Sequence, residues 1–209
     1  MKSLMFSMAM FISAIGFSQS EKFNQAMQKN IALMDSAKTT ADFKTVSDAF
    51  ERIGDAEKTQ WLPYYYAGLS LSIDAWRPDS KVDKDINSTK IKELCDKAAA
   101  INDNSEIYVV RNMAATQQML VDPQTRWQTY GQEAGAALQK GMQLDPKNPR
   151  LYYLQGASLF NTPEQFGGGK AKAKPVLEKA MELFNSETIK PLHPKWGKEL
   201  TEQMLVQCK

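Results

Sequence analysis

Leu62-Pro63-Tyr64-Tyr65-Tyr66-Ala67-Gly68-Leu69-Ser70-Leu71 decides the fold, because its spacing returns twice further along the chain. Tyr64, Tyr108 and Tyr152 lie 44 residues apart each time; Gly68, Asn112 and Gly156 follow four places on, and Leu71, Ala115 and Leu159 three places after those. A fixed period of this size marks stacked supersecondary units, each of which buries its apolar face only against a neighbour. Each tyrosine opens a stripe at helical spacing: Leu62, Tyr65, Leu69, Ile73 and Trp76; then Ile107, Val110, Met113 and Ala114; then Leu151, Leu154 and Ala157.

A second, alanine-rich helix follows each stripe, and in it a short phrase recurs. Cys95-Asp96-Lys97-Ala98, Leu138-Gln139-Lys140-Gly141 and Leu177-Glu178-Lys179-Ala180 each put a bulky and a small residue three apart, on one helix face with the lysine turned away. Small residues at Ala98, Gly141 and Ala180 let two helix backbones approach closely.

These residues resemble the tetratricopeptide repeat, a 34-residue helical hairpin with an aromatic, a small residue four on, and a closing proline. Ala134, Leu138, Gly141 and Pro146 have that family's spacings in the second unit, and Tyr152 and Gly156 fit the opening of the third. The resemblance covers roughly residues 60–185. It implies an all-α, right-handed solenoid of antiparallel helix pairs, about nine helices, with a concave groove lined by the first helix of each pair. The departures fall at one turn: Tyr64 to Cys95 spans 31 positions, Tyr108 to Leu138 spans 30 and Tyr152 to Leu177 spans 25, where the family expects 20. Insertions at one turn of every unit map to one edge of a solenoid, although longer first helices would absorb some of the excess.

The organisation read from this pattern is a helix pair over 19–58, repeats over 60–103, 104–146 and 147–185, and a capping helix in 190–209. Phe23, Met27, Ile31 and Met34 form the first stripe; Phe43, Val46, Phe50 and Ile53 form the second, with Thr40 or Asp42 as N-cap. Pro194 through Val206 reads as the last amphipathic helix.

Lys2, an apolar run from Leu4 to Phe17, and small residues at Gly16 and Ser18 read as a secretory signal peptide over residues 1–18, cleaved after Ser18. The run is shorter than the about 20 apolar residues a membrane span needs. Of 209 residues, removing these 18 leaves 191, and the 26 basic residues fall to 25 against 24 acidic ones. The expectation is one periplasmic or secreted domain with no span in the mature chain. Its near-neutral charge gives no surface for tracking nucleic acid. Lys170, Lys172 and Lys174 are followed by Glu178 and Glu182 and read as a solvated helix face.

Little in the chain points to catalysis. His193, the one histidine, sits between Leu192 and Pro194 with no second ligand at metal spacing, and reads as a surface turn residue. No metal or cofactor is expected. Gly167-Gly168-Gly169-Lys170 lacks the hydroxyl residue and the preceding strand of a phosphate loop, and reads as a turn. Cys95 and Cys208 make an even count, which in an oxidising compartment fits a disulfide; a buried repeat position for Cys95 and a fraying terminus for Cys208 fit two free thiols. The methionines fit an adaptable core.

The leading expectation is a non-catalytic scaffold that binds a protein or peptide. Tyr64, Tyr108 and Tyr152 are expected in the core, while Tyr65 and Tyr153, one place later, turn toward the groove, joined there by Asn112, Gln117 and Asn161 as partner-binding residues. The alternatives are an enzyme or accessory domain using Asp79, Asp83 and Asp85 on the insertion edge, and a structural envelope component that acts by oligomerising.

Overall fold

The structure is a computed structural model that describes residues 21–208, so the expected leader lies outside the described residues. Among the described residues there is no strand and there are nine helices of ten residues or more. They are α1 (21–36), α2 (Thr40–Glu57), α3 (Leu62–Trp76), α4 (Lys84–Ile101), α5 (Ser105–Met119), then after a four-residue α6 (Pro123–Arg126) and a π-turn (Trp127–Gly131), α7 (Gln132–Leu144), α8 (Pro149–Asn161), α9 (Lys170–Ser186) and α10 (Lys198–Gln207).

Short polar side chains set where the helices start. Thr39, one place before the expected cap, closes a capping box: its hydroxyl accepts from Asp42 N at 3.2 Å, and the Asp42 carboxylate accepts from Thr39 N at 2.8 Å. Asp83, Asn104 and Asn148 cap α4, α5 and α8 in the same sense, and Pro149 takes the first helical position of α8, where its missing N–H costs nothing.

Each long helix from α2 to α5 packs on the next, as do α5 on α7, α8 on α9 and α9 on α10; α3, α5 and α8 also touch in series. Met27, Phe50, Leu69, Ile91, Leu94, Ile107 and Leu151 are fully buried along these seams. The recurring small residues sit where backbones come closest. A Cβ added at Gly141 would stand 2.8 Å from Leu151 Cδ2, and one at Gly156 would stand 2.5 Å from Leu177 Cδ2. Any side chain there forces the facing leucine out of its rotamer.

The three insertions differ. The first is an irregular loop, the second becomes α6 and the π-turn, and the third turns through Gly167 and Gly169, both at positive φ (90° and 102°). Two expectations change. α10 begins at Lys198, not at Pro194, because Leu192 and Gly197 take positive φ (64° and 108°) on either side of Pro194 and a helix cannot run through them. Of the tyrosines, Tyr65 is the most deeply buried at 1% exposed, whereas Tyr108 and Tyr152 are only half-buried. Cys95 is buried, with its thiol 3.8 Å from Ile107 O and its pKa pushed up to about 12 by burial; both it and Cys208 are free thiols.

Candidate functional site

Residues 187–197, between α9 and α10, are irregular and lie as a strap across the face that α3 and α8 present. Tyr66 donates its hydroxyl to Leu192 O at 2.8 Å, and Trp196 Nε1 donates to the Tyr65 hydroxyl at 2.9 Å. Trp61 meets the His193 ring edge-on at 5.6 Å between centroids, and Tyr153 meets Trp196 edge-on at 6.2 Å. The face of aromatic side chains one residue past the packing tyrosines is thus covered by the chain's own strap.

A buried charge cluster anchors the strap. Arg150 is fully buried at the start of α8; its guanidinium bonds Glu187 with two nitrogens (2.7 and 3.2 Å), donates to Pro194 O, and lies 3.3 Å from Glu106 on α5. Glu106 also accepts from Asn148 Nδ2 at 2.8 Å. Burial outweighs the nearby Arg150 charge and pushes the Glu106 pKa up to about 7, and burial raises Glu187 as well. His193 shifts the other way: burial first, then the Lys190 and Arg150 charges, disfavour its protonated form.

The strap separates two clefts of about 390 Å³ each, within the size range of small-molecule sites. One opens toward the α4–α5 turn and is acidic, with Asp103, Glu106, Asp145 and Glu187 in its wall and Lys190 as its sole basic residue. The other lies between α1 and the strap over Tyr66. Its wall is largely apolar (Ile31, Met34, Ile189, Leu192, Trp196), with Lys190 and Lys195 on the strap and Asp35 on α1. His193 and Pro194 line both clefts.

The expected groove residues fall in three places. Tyr65 and Tyr153 do face the strap. Asn112 and Gln117 are buried and hold helices together, Asn112 donating to Ala134 O at 2.8 Å and Gln117 to Ser72 O at 2.8 Å. Asn161 is exposed and bonds its own helix at Ala157 O. On the insertion edge Asp79 pairs with Arg77 at 2.6 Å, Asp83 caps α4, and Asp85 pairs with Arg126 at 2.6 Å. Among the described residues no cluster of His, Cys, Asp and Glu could hold a metal ion, and no helix is long and apolar enough to cross a membrane. The strap itself was missed by sequence reasoning. Its one signal was the Pro191, Leu192, His193, Pro194 run, which is too irregular for a helix and too apolar for an ordinary loop.

The all-helical frame thus carries an apolar cleft with Lys190 and Lys195 in its wall. Among solved structures the chain is similar to the HusA haemophore from Porphyromonas gingivalis, at 36% identity and a TM-score of 0.78, covering 91% of this chain and 92% of that one. The chain belongs to the family of that haemophore. No family model matches the sequence, and no curated protein does. The likeness overturns the expectation of a protein or peptide partner, because a haemophore is a carrier of haem, a small molecule.

Proposed function

We propose that this protein is an exported, non-catalytic haem carrier that takes up the porphyrin in the apolar cleft between α1 and the strap. The observation that carries the reading is 36% identity to a haemophore over nine-tenths of both chains. The choice of cleft follows from charge. Haem is a flat apolar ring with two carboxylates at one edge, so it fits a wall of Ile31, Met34, Leu192 and Trp196 beside Lys190 and Lys195, while Asp103 and Asp145 of the other cleft, which Arg150 does not neutralise, repel it. The signal-like stretch 1–18 is the export element in this reading. The serial contacts of α2 to α9 support a right-handed stack of antiparallel helix pairs, of which α3 reaches the proposed cleft through Tyr66.

Titration with haemin tests this. Saturable growth of a Soret band with one haem per chain is expected, with the affinity lowered in Trp196→Ala, which cuts into the wall of the apolar cleft. Absence of saturable binding would sink the reading, and an affinity kept in Trp196→Ala but lost in Trp61→Ala would move the site to the acidic cleft.

A further inference from the structure

Two tethers that hold the strap meet at one carboxylate. Trp196 Nε1 donates to the Tyr65 hydroxyl, which in turn donates to Glu106 Oε2 at 3.4 Å. Arg150 bonds Glu187 and Pro194 O of the strap, and its guanidinium lies 3.3 Å from Glu106 Oε1. Glu106 stands on the first turn of α5, its side chain 13% exposed where it borders the acidic cleft. It belongs to the helical frame, whereas Glu187 belongs to the strap.

Charge at this junction is unbalanced. Glu106 is faced by Arg150 and Asn148 at the start of α8, by Glu187 on the strap, and by Tyr65 and Tyr66 on α3. Asp103, Asp145, Lys190 and His193 line the same cleft. One guanidinium thus serves two carboxylates, and the closed strap keeps a surplus negative charge away from water whenever both are ionised. Desolvation accordingly pushes the Glu106 pKa up to about 7 and raises Glu187. Lifting the strap carries Glu187 away and wets Glu106, so the open form releases a proton that the closed form holds. An equilibrium of that kind shifts by up to about tenfold per pH unit, here between the ordinary 4.5 and about 7.

We propose that Glu106 is a proton latch for the strap. With a proton on Glu106, Arg150 belongs to Glu187 alone and the strap stays closed; when the proton leaves, Arg150 is shared between two carboxylates and the strap lifts more often. Because Ile189, Lys190, His193 and Pro194 line both clefts, this one proton governs access to each, whatever ligand they take.

The test follows the Trp196 indole proton by NMR, since its bond to Tyr65 breaks when the strap lifts. Its exchange with water is measured from pH 5 to 8 in the wild type and in Glu106→Gln, a neutral isostere, and the two rates are divided at each pH. The ratio cancels the chemical pH dependence of exchange and the titrations of Glu187 and His193, which both proteins share. It is expected to rise at least about fivefold from pH 5 to 7, to level off above that, and to keep the rise when both proteins also carry His193→Asn. The indole should remain far less protected than the amide of the fully buried Phe50, which opens with global unfolding. A flat ratio, a rise lost with His193→Asn, or indole protection equal to that of Phe50 overturns the latch. Wild-type indole protection, corrected for chemical exchange, should itself fall over the same range, and protection that holds constant or increases overturns the latch without any variant.

Discussion

The two clefts flanking the strap have the same volume, about 390 Å³, and share Ile189, Lys190, His193 and Pro194, yet their remaining walls are opposites. The acidic one sets turn and cap residues, Asp103 and Glu106 around the start of α5 and Asp145 just past α7, against Glu187 and Thr188 of the strap. The apolar one is built from α1, which stands outside the repeats, and from the strap. The helix turns therefore supply the charge on one side of the strap, while α1 supplies the apolar wall on the other, the wall proposed to meet the ligand. Arg150 links them, since it is rooted in a repeat helix and reaches the strap at both Glu187 and Pro194.

The largest effect is expected from cutting that link. Arg150→Met removes the cation from a buried site that holds Glu106 and Glu187, and breaking a buried pair by deleting one partner costs about 3–5 kcal/mol. Urea unfolding should show a loss of that order at pH 8. The loss should shrink at pH 6, because Glu106, already raised by burial, then takes a proton instead of standing as an unpaired charge. A loss that is equal at both pH values would mean that Glu106 contributes no uncompensated charge and that the two clefts are not coupled through Arg150.

A smaller effect follows from Glu106 in the intact protein. Its folded pKa of about 7 lies above the ordinary 4.5, so the folded chain binds more protons than the unfolded chain between those values. The contribution is fully present below pH 4.5 and disappears as the pH rises through 7, a decline on the order of 1–3 kcal/mol. The depressed carboxylates at Asp42, Glu51, Asp55 and Asp85 act in the opposite sense at lower pH, and all but Glu51 are at the surface. Glu187, raised by burial, adds to this fall and His193, lowered by burial, opposes it, so stability measured from pH 5 to 8 should fall more steeply in the wild type than in Glu106→Gln. A wild-type profile that rises across this window would refute the assignment.

These contacts mark the limit of what the sequence could disclose. Helix positions and close-packed small residues were legible because they depend on neighbours three or four places away, as with Gly141 and the phrase Leu138-Gln139-Lys140. Tyr65 and Tyr153 share a face for the same reason, although that face meets the strap and not an open groove. What covers that face was not legible: Tyr66 meets Leu192 across 126 positions and Trp196 meets Tyr65 across 131, and no local pattern encodes such pairings. Arg150 was invisible for a related reason. An arginine beside Pro149 at a helix start reads as surface, and only its partners at Glu106 and Glu187, distant in sequence, let it be buried. Asn112 and Gln117 erred in the reverse direction, because an amide on a groove-facing helix looks the same in sequence whether it meets a ligand or a neighbouring backbone carbonyl.

The smallest expected effect most directly separates the two clefts. Lys190 and Lys195 are exposed, and a lysine paired with a carboxylate in water contributes up to about 1 kcal/mol. Reversing both, Lys190→Glu with Lys195→Glu, exchanges two attractions for two repulsions and should weaken haemin binding by roughly tenfold at low salt. The loss should fall as ionic strength rises, because the Debye length shortens to about 8 Å near physiological salt. Lys190 also borders the acidic cleft, so the double variant alone does not identify which cleft is used. Asp145→Asn resolves that, since Asp145 lines only the acidic cleft and is exposed. If haem sits between α1 and the strap, Asp145→Asn leaves haemin affinity within twofold of wild type while Asp35→Asn, on α1, strengthens it slightly by removing a like charge. If the affinities respond in the reverse order, the ligand lies on the other side of the strap, and the turns before α5 and after α7, not α1, form the wall that faces the strap.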